Sequence, residues 1–315
     1  MSPRAALSSP VFLFYLSLTV GVLLVAGTVI GGLRWGLGRN VKHAWQAYCG
    51  WLIMAPLVLG ALFLGRMAAI VFFTVLAIFG CKEFARATGL YRDWFMTGGV
   101  YLGIIAGGVA SLVADPNLDM PGWYGLFMAL PVYVIAGLLP IPIVRNRSQG
   151  QLQALALAIV AYIYFGWMFE HLAFLANAKH AYSYLLYLLF AVELNDVVAY
   201  TTGKLFGRHP LRRNISPQKT WEGSLGALAV SLILPWLLHF TFPHFGVREL
   251  VLAGLIVGVG GQLGDLAISV IKRDLGIKDM GAAIPGHGGI LDRIDSLIYV
   301  APLFFHMVRY FHDLY

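Results

Sequence analysis

Apolar residues run for long stretches along this chain, broken by short polar segments, and they show no alternation that would suit a half-buried strand or an amphipathic helix. A helix needs about 20 apolar residues to cross the hydrocarbon of a bilayer. Ten runs qualify or come close: 11–33, 51–65, 67–80, 97–114, 124–144, 153–176, 182–200, 223–240, 247–268 and 294–311. The first is too long for the apolar core of a signal peptide, roughly 7–15 residues, and reads as a retained span. The second and third are short and separated only by Arg66, a pattern that predicts a tight hairpin or a re-entrant element. The expected fold class is all-α: a polytopic transmembrane helical bundle of about 9–10 spans.

Composition supports this reading. Hydrophobic residues make up 59% of the 315 positions and charged residues 12%, against roughly 45–50% and about 25% in soluble domains. So few charges cannot cover a water-facing surface, which excludes a soluble globule, a disordered chain and a secreted disulfide scaffold. Cys49 and Cys81, the two cysteines, lack the number and spacing of a disulfide framework or a zinc site.

The net charge of +7 does not call for a nucleic-acid partner, because cytoplasmic loops of membrane proteins are enriched in Lys and Arg. With the N-terminus outside, 17 basic residues fall on inner segments and five (Arg4, Arg66, Lys179, Arg248 and Arg309) on outer ones. Both termini are therefore expected on the non-cytoplasmic face of a multi-pass protein, in the inner or plasma membrane if the source is bacterial. The organisation divides into an N-terminal transmembrane bundle (1–181) and a chemistry-bearing region (182–315). The latter carries two polar loops, 200–222 and 269–295, both on the cytoplasmic side.

Polar residues at membrane depth are costly and usually mark function. They gather at Glu193, Asn195 and Asp196 before the first of these loops, and at Gln262 and Asp265 before the second. On a helix Asp265, Ser269, Lys272 and Arg273 share one face. Beyond Gly276, the run Pro285-Gly286-His287-Gly288-Gly289 is a Gly-rich loop whose amides can approach an anion. Asp292 and Asp295 follow one turn apart, at a helix start that favours carboxylates even without function. Two carboxylates from different helices, Asp265 and Asp292, beside a ring of Lys and Arg suit hard-cation and phosphate chemistry; Mg²⁺ takes few carboxylates and completes its shell with water and phosphate oxygens. Upstream, Ser216 and Thr220 flank Lys219 at an expected helix start, where hydroxyls, amides and one positive charge can hold an anion. Glu170 and His171, in the sixth run, are the residues that an intramembrane relay would use.

The segment Ser269-x-x-Lys272-Arg273-x4-Lys278-Asp279-x-Gly281-x2-Ile284-Pro285-Gly286-His287-Gly288-Gly289-x2-Asp292-Arg293-x-Asp295-Ser296 resembles the signature of the phosphatidate cytidylyltransferases (CDP-diacylglycerol synthases). Ser216-Pro217-x-Lys219-Thr220-Trp221-Glu222-Gly223 and Gln262-x-Gly264-Asp265-Leu266 resemble further motifs of that family. The resemblance extends from about residue 193 to 296. It implies an all-helical membrane enzyme, a homodimer, that condenses CTP with phosphatidate and releases CDP-diacylglycerol and pyrophosphate. By the family pattern Asp265 and Asp292 hold Mg²⁺, with a second cation beside it as a further option. Asp265, Asp292, Lys272 and Lys219 are then the catalytic set. Ser216, Thr220 and Arg273 bind phosphates, and Asp196, Lys278, Asp279, His287, Arg293 and Asp295 position the nucleotide or the loop.

Three positions depart from the pattern. Glu193-Leu194-Asn195-Asp196-Val197 stands where many members have an Asp-Thr-Gly-like run, and Gln218 and Met280 stand where Lys and Ser are common. These changes leave open another lipid phosphate as acceptor. Two further readings remain: a CTP-dependent lipid or polyprenol kinase, and a non-enzymatic ion or lipid transporter.

Overall fold

The computed structural model describes residues 1–116, 120–284 and 288–313. After a short helix at Pro3–Ser8 come α1 (Pro10–Gly36), α2 (Ala44–Leu64), α3 (Arg66–Thr88), α4 (Trp94–Leu112), α5 (Tyr124–Val144), α6 (Gln151–Leu175), α7 (Ala181–Phe206), the shorter α8 (Trp221–Leu237), α9 (Val247–Asp274) and α10 (Leu291–Phe311). All of these except α8 and α10 are long and apolar enough to cross a membrane, eight in number among the described residues. The protein is an all-α polytopic membrane bundle. Many large apolar side chains are exposed, among them Leu24, Val25 and Leu102, as expected for a surface solvated by lipid rather than water.

The second and third spans are longer than their apolar cores suggest. α2 has 21 residues and α3 has 23, so the re-entrant alternative is corrected: these are two full-length helices joined as a tight hairpin. The cause lies at the ends. α3 continues beyond Gly80 through Lys82, Glu83 and Arg86, whose aliphatic stems can lie along the helix while their charges reach water. The break between α2 and α3 is Gly65 alone, at φ +112°, where an added Cβ would come within 3.0 Å of the Met1 carbonyl oxygen.

The connecting segments fall into two sets. At one end, Arg66 Nη2 donates to the Ser111 and Leu112 carbonyls at 3.0 and 2.8 Å, tying the α2–α3 turn to the end of α4. The same guanidinium reaches Asn177, between α6 and α7. His180 stacks on His244 at 4.2 Å, and His244 meets His312 beyond α10 at 5.0 Å. At the other end, Asp93, before α4, takes both of its 2.7 Å contacts from Arg145 after α5. Arg273 at the end of α9 donates to Ile215 between the strands at 3.1 Å. This alternation puts both described chain ends on the face opposite the segments 207–220 and 275–284.

The core is densest around α10, which is buried along most of its length and packs on α3, α6, α7 and α9. Phe305 meets His171 and Phe174 of α6, and Phe127 of α5 joins the same group. Against the helical expectation, one small sheet forms in the loop after α7. β1 (Pro210–Arg212) pairs antiparallel with β2 (Ser216–Thr220).

Candidate active site

α9 brings the first carboxylate. A π-helical turn at Ile256–Gly260 precedes the regular stretch Gly261–Asp274, so the stripe Asp265, Ser269, Lys272 lies on uninterrupted α-helix and its members share one face. Ser269 Oγ donates to Asp265 Oδ1 at 3.1 Å. α9 and α10 touch at Gly264, where a Cβ would stand 2.5 Å from the Asp295 carbonyl oxygen and 3.0 Å from Ser296 Cα. The missing side chain lets the two helices approach closely enough for Asp265 and Asp295 to share one space.

β2 brings the first cation. The hairpin ends on Thr220, whose Oγ1 accepts from the Gly223 N–H at 3.1 Å and caps α8, and the residue before it, Lys219, reaches Asp265 Oδ2 at 2.5 Å. On the other side of the hairpin Glu222 accepts from His209 Nδ1 at 2.6 Å and from the Arg208 and His209 amides, which fixes the sheet to the start of α8.

The second pair is more buried. Lys272 Nζ lies 2.6 Å from Asp292 Oδ1. Asp292 Oδ2 also accepts from the Gly289 N–H at 2.9 Å and the Met280 N–H at 3.2 Å. One carboxylate thus gathers two stretches of backbone and a lysine. Asp295 is buried as well, accepts from the Ser296 N–H at 2.8 Å, and lies near enough to Asp265, Lys272 and Asp196 to feel their charges. Asp196, exposed on α7, faces Asp265, Lys219 and Arg293. Four acidic and three basic side chains from α7, β2, α9 and α10 therefore converge at one end of the bundle.

Several polar atoms in this group have no protein partner although they are buried: Asn195 Nδ2, Arg293 Nε and Ser296 Oγ. A buried unmade hydrogen bond costs about 1–3 kcal/mol, and two of the three are N–H donors, suited to an oxygen-rich ligand or water. The other oxygen-bearing end of Asn195 is occupied, accepting from Ser231 Oγ at 3.0 Å.

The remaining residues singled out from sequence are distributed differently. Ser216 opens β2, opposite Arg212. Arg273 is turned to the backbone, donating to Ile215 and Ile277 carbonyls at 3.1 Å each. Lys278 and Asp279 are exposed on the loop after α9. His287 lies outside the described residues. Glu170 and His171 are fully buried in α6 and do not join the group; His171 Nδ1 sits 2.8 Å from the Trp167 carbonyl of its own helix.

One residue at this end was not foreseen. Glu83 of α3 accepts the Leu291 N–H through Oε2 at 2.8 Å. Set between Lys82 and Arg86 at the end of an apolar run, it carries only the signal of an ordinary boundary charge.

Comparisons with known proteins identify the family. Residues 45–311 match the model of the cytidylyltransferase family. Over 307 residues the chain is 30% identical to the uncharacterized protein YnbB of Escherichia coli, covering 93% of this chain and 97% of that one. It is 43% identical over 160 residues to a phosphatidate cytidylyltransferase of Staphylococcus haemolyticus, and 44% over 161 residues to one of Staphylococcus aureus. Those two matches take in 50% of this chain and 60% of each relative. The converging charges at the ends of α7, α9 and α10 lie within the family match, and the chain belongs to the cytidylyltransferase family as a multi-pass integral-membrane member.

Proposed function

We propose that the protein condenses CTP with phosphatidate to give CDP-diacylglycerol and pyrophosphate, on the cytoplasmic side. The observation that carries this reading is the double pairing Lys219–Asp265 and Lys272–Asp292 at the membrane boundary, in a chain of this family. Paired in this way, the ammonium groups and carboxylates keep each other compensated at a half-buried site, and each lysine is poised to exchange its carboxylate for a phosphate oxygen. The 17-to-5 distribution of basic residues supports the cytoplasmic side.

In the reaction an oxygen of the lipid phosphate forms a bond to the α-phosphorus of CTP while the bond to the bridging α,β oxygen breaks and pyrophosphate departs. The attacking monoester is already anionic near neutral pH, so alignment and charge compensation matter more than a general base. Lys219 and Lys272 hold the oxygens of the reacting phosphates. Ser216 and Thr220 orient them from the hairpin, which Arg273 of α9 braces through the Ile215 carbonyl, and Arg293, with its unpartnered Nε, reaches the nucleotide from α10. Asp196, Asp295, Lys278 and Asp279 would position the nucleotide or the loop.

The donor set fits Mg²⁺. Among the described residues no three His, Cys, Asp or Glu side chains form a ready-made cage, and Mg²⁺ asks for less: one or two carboxylates, water and substrate phosphate. Asp265 and Asp292 are the residues that would hold it, and bound there it would neutralise charge developing on the phosphates.

A second reading, transfer to another lipid phosphate, rests on the departures at Glu193–Val197, Gln218 and Met280; the matches to named phosphatidate enzymes cover 60% of those relatives. The test is incubation of detergent-solubilised protein with Mg²⁺, phosphatidate and CTP labelled at the α- and γ-phosphates. Entry of α-label into lipid with pyrophosphate release supports the proposal. Transfer of α-label only to another lipid phosphate changes the acceptor. Transfer of γ-label to a lipid alcohol replaces the reaction with a kinase, and no labelling of any lipid returns the transporter.

A further inference from the structure

We propose that Glu83 is a positioning residue for the site carboxylate Asp292, acting from α3 through the backbone that Asp292 binds. The proposal rests on the reading of Asp292 given above, and it follows from how the two carboxylates share one piece of chain.

Glu83 Oε2 accepts the N–H of Leu291, the first residue of α10, at 2.8 Å. An anion at a helix N-terminus is favourable in itself. The surroundings of the carboxylate add a second role. A Cβ on Gly281 would come within 2.4 Å of Glu83 Oε1, and a Cβ on Gly289 within 2.4 Å of Oε2. The carboxylate is therefore wedged between two glycine backbones, and neither of those glycines has a positive φ that would require glycine for conformational reasons.

The same backbone holds Asp292. Gly289 donates its own N–H to Asp292 Oδ2, and Met280, the neighbour of Gly281, donates to the same oxygen. Glu83 thus presses on the stretches that carry both amide donors. Through them it sets the direction of the Asp292 carboxylate, and through Asp292 Oδ1 the resting place of Lys272. Residues that orient a reacting group in this way commonly change activity 10–100-fold when removed.

A helix cap alone would make a narrower prediction, so the test separates the two. Glu83→Ala, Glu83→Gln, Gly281→Ala and the double variant Glu83→Ala/Gly281→Ala are purified in detergent, and amide exchange is read at Leu291 and Gly289 together with α-label transfer. Positioning predicts that Glu83→Ala accelerates exchange at Gly289, an amide that Glu83 does not bind, and lowers turnover at least about tenfold. Glu83→Gln keeps an acceptor oxygen and retains most of the activity. Gly281→Ala is impaired alone but adds nothing to Glu83→Ala, because the three nearest atoms its Cβ would meet all belong to Glu83. Faster exchange confined to Leu291, or additive effects in the double variant, overturns the proposal. Should wild-type protein fail to transfer label from CTP to any lipid phosphate, the proposed reaction fails while the exchange at Gly289 still decides the role of Glu83.

Discussion

Lys219 and Asp265 meet at 2.5 Å although one stands on a surface hairpin and the other on a helix of the bundle. Their contact sets how the loop after α7 closes over α9, and it places a mobile positive charge where a phosphate oxygen would arrive. Replacing Lys219 by Met keeps the stem and removes the charge. Turnover should fall about 100-fold or more, in the range seen when one group stabilising developing charge is lost. Label transfer at saturating CTP is the measurement, and wild-type turnover in Lys219→Met would remove this lysine from the reaction.

The aspartates should behave differently from each other. Asp265→Asn and Asp292→Asn each remove one negative charge from the proposed cation site, and both should abolish detectable transfer while the protein remains monodisperse in detergent. Asp292 additionally organises the Met280 and Gly289 amides, so Asp292→Asn should also speed exchange of those amides, whereas Asp265→Asn should not. Active protein in either case would sink the metal assignment.

Much of this was legible in the sequence, for physical reasons that differ by residue. Asp265, Ser269 and Lys272 could be put on one face because helical periodicity is local. Asp292 and Asp295 could be placed at a helix start because the glycines before them end any preceding helix. The partnership of Lys219 with Asp265 was not legible, since it depends on the fold of a hairpin that no periodicity announces. The extent of α3 was underestimated because Lys82, Glu83 and Arg86 look like the end of a span although the helix continues through them, and that of α2 because its first turns, from Ala44 to Gly50, mix small and polar residues with aromatic ones. Glu83 was missed because its partner lies 208 positions away.

At the site end, Asp93 and Arg145 give a pH-dependent contribution to stability. Partial burial opposes the charge on Asp93, but the Arg145 guanidinium and the Met96 N–H outweigh it and hold the carboxyl below its ordinary value. A carboxyl lowered on folding contributes fully above its unfolded value of about 3.9, and the contribution is lost as pH falls through the lower folded value. Arg145→Ala should cost roughly 1 kcal/mol at pH 7, discounted for exposure. The gap between variant and wild-type melting temperatures should close progressively below about pH 4.

The far end responds in a higher pH window. Burial, and then the neighbouring His180 and His312, push the His244 imidazole down to about 4, with Glu249 opposing and His239 adding to the fall. Between its unfolded value near 6.5 and 4, the unfolded chain binds the proton more readily. Stability from this group is therefore complete above about pH 6.5 and declines as pH drops towards 4. His244→Gln should flatten the fall in melting temperature across that interval, and an unchanged profile would assign the acid sensitivity elsewhere.

The bundle is also uneven in how much of each helix other helices cover. Only 6% of the apolar window of α1 is buried inside the protein, against 50% for α4. Its outward side chains at Val22, Leu24, Val25 and Val29 need hydrophobicity but no particular shape, because lipid chains adjust to any contour. Phe304, Phe305 and Val308 of α10 sit at 0% exposure, where changes of even one methylene are felt. Random substitution among apolar residues should therefore be absorbed along α1 and rejected along α10, so that the two helices drift at very different rates in a population of variants.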